Sequence, residues 1–349
     1  MSPHNPAHDE VGDGCARGGA PGASKIDRVV VEVGESAPAG LPPDRSWVST
    51  EHRNARTGDL HRLSVGELVA RIQEEDARVL SAVEGARGAI TALIARAEPG
   101  FSAGGRLIYV GAGTSGRLGV LDAAEAPPTF QTPPGRVVGI LAGGEAAIRS
   151  SSEGLEDDRE GALEELAGLG LTADDTVIGI AAGGTTPYVL GALSIAKRLS
   201  AGVLTALVTC ANVCDVADAD CVIVLETGPE VITGSTRMKA GTATKLVLNT
   251  ISTALMVRTG KVYENLMVDV RATNAKLRDR AARIVSTLTG LGREEAFGLL
   301  ARAEGSAKAA VVMHRLGVDV STASAYLARH GGRLDGALGE GGRNQAERA

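Results

Sequence analysis

Between residues 106 and 225 the chain spells five short runs that are almost wholly apolar, each separated from the next by a stretch suited to a helix. The runs are Arg106 to Val110 (RLIYV), Arg136 to Ala142 (RVVGILA), Thr176 to Ala182 (TVIGIAA), Val203 to Thr209 (VLTALVT) and Cys221 to Leu225. A strand with one face in water alternates apolar and polar residues, and these do not. Strands without alternation are buried on both faces, and helical crossovers between them make the sheet parallel. The expected fold is therefore α/β: a three-layer structure with a parallel sheet flanked by helices. Ligands of such sheets bind at the carboxyl ends of the strands. Chemistry is expected in the loops after Val110, Ala142, Ala182 and Leu225.

On either side of this unit the pattern is helical. Ser64-Val65-Gly66-Glu67 has the form of a capping box, with Ser64 as N-cap and Glu67 at N3. A helical pattern follows to about Ala97, with a break near Gly85 and an apolar stripe of Leu68, Ile72, Val79, Val83 and Ile90. Order is expected to begin near Ser64. A long helix should run from residue 237 to about Arg258. Further helices should fill 269 to 330, broken at Gly290, Gly292 and Gly317. Residues 1 to about 48 are rich in Gly, Pro, Ala, Ser and Asp and read as a disordered extension. The apolar patch Arg28 to Val33 within it is, alternatively, a strand or a docking element. The expected division is an extension (1–48), a helical segment (49–99), an α/β ligand-binding domain (100–260), a small helical region (261–338) and a polar tail (339–349).

Composition narrows the function classes. With 349 residues, 44% of them apolar, the chain can bury a large core. Aromatic residues are only 2%, so that core rests on Ala, Val, Leu and Ile, and the stacking platforms of single-strand binders are missing. Net charge is −6 with no basic stripe, which argues against a nucleic-acid partner. Cys15, Cys210, Cys214 and Cys221 include no C-x-x-C pair and have no neighbouring histidine, so no metal is expected. They read as free thiols in a reducing compartment. No apolar run reaches the ~18 residues of a membrane span, and residues 1–14 carry no signal-like apolar core. No membrane partner and a cytoplasmic location are the expectations.

Gly111-Ala112-Gly113-Thr114-Ser115-Gly116 follows the first strand and opens a helix. The spelling G-x-G-x-x-G is shared with dinucleotide sites. The acidic residue such sites place ~20 residues on is missing, however; Ala142-Gly143-Gly144 stands there. The adjacent hydroxyls of Thr114 and Ser115, added to main-chain N–H groups at a helix N-terminus, suit a terminal phosphate. Two more hydroxyl-bearing loops follow. They are Ala182-Gly183-Gly184-Thr185-Thr186-Pro187 and Gly234-Ser235-Thr236-Arg237. Together they suggest one phosphorylated sugar gripped from several sides by Gly113, Thr114, Ser115, Thr185, Thr186, Ser235 and Thr236. Carboxylates are the candidates for the chemistry. Glu125 precedes Pro127-Pro128, which should end the helix there and hold Glu125 at its C-terminus, against the dipole. Glu153 and Glu156 are spaced to share a helix face. From spacing alone that acidic run reads as a solvated surface.

Two strings then point to a family. Gly111-Ala-Gly-Thr-Ser-Gly-Arg-Leu-Gly119 with Asp122-Ala-Ala-Glu-Ala-Pro-Pro-Thr129, and Gly228-Pro-Glu-Val-Ile-Thr-Gly-Ser-Thr-Arg-Met-Lys-Ala-Gly-Thr242, resemble the N-acetylmuramic acid 6-phosphate etherases, as does Asn265-Leu-Met-Val-Asp269. The resemblance runs from about Thr50 to about Gly332. It implies a SIS (sugar isomerase) domain over 100–260, a homodimer, no cofactor and no metal. It implies cleavage of the D-lactyl ether of a phosphorylated amino sugar, giving N-acetylglucosamine 6-phosphate and D-lactate, with Glu125 and Glu156 as the catalytic pair. Glu125 is expected to protonate the departing lactyl oxygen, and Glu156 to act as base at C2 or on the incoming water. The middle loop departs from the family's Ala-Ser-Gly-Arg-Thr-Pro, since Gly183 and Thr185 replace the serine and arginine. Either Ser115 and Ser235 carry more of the phosphate, or Thr185 and Thr186 substitute. Other classes compatible with such loops are a non-catalytic sugar-phosphate regulator and a SIS-type aldose–ketose isomerase.

Overall fold

The structure, a computed structural model, describes residues 29–30, 44–150, 153–270 and 275–339. Its centre is a five-stranded parallel sheet built from β2 (Leu107–Gly111), β3 (Val137–Leu141), β4 (Thr176–Ile180), β5 (Leu204–Thr209) and β7 (Cys221–Val224), in the order β3-β2-β4-β5-β7. Every neighbouring pair is parallel. β2 and β4 are buried at every position, which is why their sequences lack alternation. One face packs against α2 (Arg78–Gly85), α3 (Arg87–Ala103), α4 (Gly113–Phe130) and α7 (Lys239–Arg258). The other packs against α5 (Leu163–Leu169) and α6 (Pro187–Leu199). Strand order reverses between β2 and β4, so the crevice at their carboxyl ends is the topological switch point where ligands bind.

A separate apolar core joins α8 (Ala275–Thr289), α9 (Arg293–Arg302), α10 (Ala307–Leu316) and α11 (Val320–Arg329). Among the described residues no helix is long and apolar enough to cross a membrane. Within this region buried Lys308 pairs with Asp269, which also meets Lys261 Nζ at 2.6 Å.

Several local expectations change. The helical stretch after Ser64 is three helices rather than one pattern with a single break. They are α1 (Val65–Asp76), α2 and α3, interrupted at Ala77 and Ala86. The capping box at Ser64 and Glu67 is present. Order begins well before Ser64. Val48 and Thr50 are fully buried, and residues 49–62 form three short 3-10 turns. Tertiary contacts hold this stretch, so its local composition carries no signal. Val29–Val30 (β1) pairs in parallel with Val213–Asp215 (β6), as the strand reading of the apolar patch has it. The remainder of 1–43, with Cys15, and the tail 340–349 lie outside the described residues. Pro127 and Pro128 do not end α4. A proline's fixed φ suits a helix, and in the final turn only two backbone bonds are forgone. The helix stops instead at Gln131, in the left-handed region at φ 52°, whose N–H donates to Pro127 O at 2.9 Å. Finally, Glu153–Leu155 is one 3-10 turn and Glu156 follows it, so no α-helix carries Glu153 and Glu156 on a shared face.

Candidate active site

The first loop joins β2 to α4 by a very close approach. A Cβ on Gly111 would stand 2.7 Å from Gly116 N, and one on Gly116 would stand 2.4 Å from Gly111 O. Glycine is thus required at both positions by contact. Gly113 opens α4 at φ 52°. The first turn of α4 has N–H groups without intrahelical acceptors, at the positive end of the helix dipole. Thr114 and Ser115 are half-buried in that turn, and among the described residues neither hydroxyl is held by another side chain. α4 is fixed from below: Tyr109 Oη donates to Asp122 Oδ2 at 2.9 Å and Ser252 Oγ to Asp122 Oδ1 at 3.2 Å. Burial raises the Asp122 carboxyl, an effect the two hydroxyl donors oppose.

The middle loop emerges from β4, next to β2. Thr185 and Thr186 are half-buried, and Pro187 sits at the first turn of α6. Gly183 faces residues 48–50: a Cβ there would be 3.6 Å from Val48 Cγ1, 3.8 Å from Thr185 Oγ1 and 4.0 Å from Thr50 Oγ1. The Thr50 hydroxyl is buried, and among the described residues it has no hydrogen-bond partner. A serine at 183, as in the family's motif, would reach it.

The third loop, with half-buried Ser235 and Thr236, leads into α7. It abuts the first, because a Cβ on Gly241 would lie 3.6 Å from Thr114 Cγ2. It is pinned twice. Glu230, fully buried, accepts from Lys239 N at 3.0 Å and Ala240 N at 2.9 Å, capping α7. Lys239 Nζ, fully buried, donates to Glu75 Oε2 at 2.7 Å and Pro229 O at 2.6 Å. Glu75 also accepts from Asn54 Nδ2 at 2.9 Å and pairs with Arg56. The Arg56 guanidinium, with help from Lys239 and Asn54, holds the Glu75 carboxyl down to about 2. Gly234 N donates to Thr50 O at 3.2 Å, so residues 44–63 lie over both the second and third loops. Thr50, Glu75, Glu230 and Lys239 were not singled out from sequence. Glu230 and Lys239 lie inside the second string, but nothing local marks a buried ion pair whose partners are 164 positions apart.

Glu156 belongs to this crevice. A Cβ on Gly113 would stand 3.1 Å from Glu156 Oε1, and Tyr188 N at the start of α6 donates to Glu156 O at 3.0 Å. Its carboxylate thus meets the first loop while its backbone caps the helix of the second. Glu125 is elsewhere. It lies twelve residues past Gly113 on α4, about 18 Å along the axis at ~1.5 Å per residue, and it is exposed. With Leu121, Ala124 and Pro128 it forms an exposed stripe on the face opposite buried Gly119, Ala126 and Phe130. The same end of α4 borders a cavity of about 700 Å³ lined in part by Gln131, Lys261, Val268, Asp269 and Ser306. The structure therefore gathers Gly113, Thr114, Ser115, Thr185, Thr186, Ser235, Thr236 and Glu156 at one sheet edge and leaves Glu125 at a distance. Among the described residues no cluster of metal-ligating side chains occurs.

Several known proteins are similar to this chain. The model of the glucokinase regulatory protein N-terminal SIS domain matches residues 69–197. The N-acetylmuramic acid 6-phosphate etherase of Mycolicibacterium smegmatis is 51% identical over 299 residues, spanning 85% of this chain and 100% of that protein. The N-acetylmuramic acid 6-phosphate etherase of Gloeothece citriformis is 50% identical over 296 residues, spanning 84% of this chain and 96% of that one. Among solved structures, a phosphoheptose isomerase from Francisella tularensis aligns over 55% of this chain and 98% of its own, at 14% identity and a TM-score of 0.41.

Proposed function

The chain belongs to the N-acetylmuramic acid 6-phosphate etherase family, and we propose that it is a carbon–oxygen lyase that releases D-lactate from N-acetylmuramic acid 6-phosphate. The observation that carries this reading is the crevice at the switch point, where Glu156 stands against a hydroxyl-lined phosphate loop. Thr114, Ser115, Thr185, Thr186, Ser235 and Thr236 hold the 6-phosphate, with Gly113 leaving room for the Glu156 carboxylate. The open-chain aldehyde at C1 acidifies the C2 proton. A glutamate removes it, the C3–O bond breaks, and the lactyl oxygen takes a proton and leaves as D-lactate. Water then adds at C3, and a proton returns to C2. Glu125 is the general acid at the lactyl oxygen and Glu156 the partner base, acting at C2 or on the water. Positioned proton transfers of this kind contribute ~10² to 10⁴-fold each. The residues need no cofactor or metal for these steps. The enzyme works as a homodimer in the cytoplasm, in amino-sugar catabolism and peptidoglycan recycling.

Turnover in D₂O tests this chemistry. The expected products are D-lactate and an amino sugar phosphate carrying deuterium at C2. Lactate release with C2 protium retained contradicts the elimination. The match to the regulatory SIS domain favours a second reading, a phosphosugar-binding regulator. Saturable phosphosugar binding without lactate release would establish that one instead.

A further inference from the structure

Resting on the etherase reading, we infer that Glu51 is a third carboxylate of the site and carries the proton of sugar ring opening, the step that neither Glu125 nor Glu156 serves. Two of the phosphate loops are built alike. Each has a glycine in the left-handed region followed by two hydroxyls: Gly113 at φ 52° before Thr114 and Ser115, and Gly234 at φ 75° before Ser235 and Thr236. On each glycine stands a carboxylate brought from elsewhere in the chain. Glu156 Oε1 is 3.1 Å from where a Cβ on Gly113 would be, and Glu51 Oε2 is 3.0 Å from where one on Gly234 would be. The middle loop shares the spelling, with Gly184 at φ 71° before Thr185 and Thr186, but its glycine meets Val213 and Thr209 instead.

The backbone under Glu51 is anchored while its carboxylate is not. Ser49 Oγ donates to Cys210 O at 3.4 Å, and Gly234 N donates to Thr50 O at 3.2 Å, so the 3-10 turn Ser49–Glu51 is tied to the sheet edge and to the third loop. Just beyond the turn, Asn54 Nδ2 donates to Pro229 O at 3.2 Å. Among the described residues no hydrogen bond or ion pair takes up the Glu51 carboxylate. An anion beside a phosphate grip repels the ligand unless it accepts a proton from it. The closed sugar offers one. Its C1 hydroxyl and ring oxygen O5 share C1, and O5 is bonded to C5, next to the phosphate-bearing C6. The Glu51 carboxylate takes the proton of the C1 hydroxyl. The C1–O5 electron pair passes to O5 as the C1 carbonyl forms, and O5 takes that proton from Glu51. The carboxylate is regenerated, and the aldehyde that acidifies C2 is in place.

Anomer exchange isolates this step, because α and β sugars interconvert only through the open chain. NMR exchange spectroscopy is run on N-acetylglucosamine 6-phosphate with the wild-type chain, Glu51→Gln and Glu156→Gln, and the rate without protein is subtracted. The wild type should catalyse exchange and Glu156→Gln should keep it, whereas Glu51→Gln should lose it by ~10² to 10⁴-fold. Glu51→Gln should also lower kcat for lactate release, with KM and the calorimetric affinity for the same sugar phosphate nearly unchanged. A turn that had merely lost its shape would lose affinity too. Exchange at the wild-type rate in Glu51→Gln overturns the inference, as does a wild type that catalyses no exchange. Exchange that disappears only in Glu156→Gln moves ring opening to Glu156 and overturns it as well. Failure of the etherase reading looks different: Glu51-dependent exchange without lactate release from N-acetylmuramic acid 6-phosphate keeps the ring-opening role and overturns the lyase.

Discussion

The two ends of α4 are built on opposite principles. At its N-terminus the backbone is fixed: Gly111 and Gly116 touch, Glu156 stands on Gly113, and the third loop is locked by Glu230 and Lys239. Farther along, Glu125 stands on an exposed, largely apolar face, and among the described residues no side chain pairs with it. A site that must grip a phosphate benefits from preorganised donors, because their ordering is completed before the ligand arrives. A group that must swap a proton with a leaving oxygen needs only to arrive from the right side. The difference teaches that phosphate binding and ether cleavage can be separated experimentally.

The largest separation is expected from Glu125→Gln. Lactate release should fall ~10² to 10⁴-fold, with phosphosugar affinity nearly unchanged, measured by steady-state kinetics and by calorimetric titration with product. A parallel loss of affinity would show that the two ends are not independent. Lys239→Met should act at the other end and through stability. It removes one of the donors to the buried Glu75 carboxylate, which keeps Arg56 and Asn54, and the loss of one hydrogen bond to a charged group costs about 1.5–3 kcal/mol, read from denaturant midpoints. Ser115→Ala removes one donor to a charged ligand, worth about 1.5–3 kcal/mol. That should appear as weaker phosphosugar binding at preserved turnover.

Acid should loosen the lock on the third loop. Glu75 has an ordinary value of 4.5 and is held near 2 in the folded protein. Its contribution to stability is therefore fully present above pH 4.5 and is lost as pH falls toward 2. Unfolding midpoints measured against pH should show this slope, and the slope should diminish in Lys239→Met. The smallest effect is expected from Gly183→Ser. The position has room, and the new hydroxyl gives Thr50 Oγ1 a partner. A gain of about 1 kcal/mol is expected, and it should vanish when Thr50 is also changed to Val.

Much of this was legible in the sequence, for identifiable reasons. The strands fall within a residue or two of their expected limits because burial on both faces imposes a composition that needs no tertiary knowledge. The phosphate loops were legible because glycines and hydroxyls sit together in the chain. Residues 44–63 were not, since Val48, Thr50 and Asn54 are ordered only by what they touch. The Glu75–Lys239 pair was hidden by sequence separation. The limit of α4 is not legible, because paired prolines signal a stop locally while Gln131 in the left-handed region supplies it. Only the structure reveals the separation of Glu125 from Glu156, because Glu156 stands against Gly113, and Gly113 and Glu125, twelve apart on a straight helix, look adjacent when read as a string.

The central claim is that this crevice serves ether cleavage and not sensing or isomerisation. Quantifying D-lactate against N-acetylmuramic acid 6-phosphate consumed by the purified chain tests it most directly. One equivalent of D-lactate for each equivalent of N-acetylglucosamine 6-phosphate is the predicted result. Tight binding of the substrate with no lactate, or its conversion to an isomer with the ether intact, would contradict it.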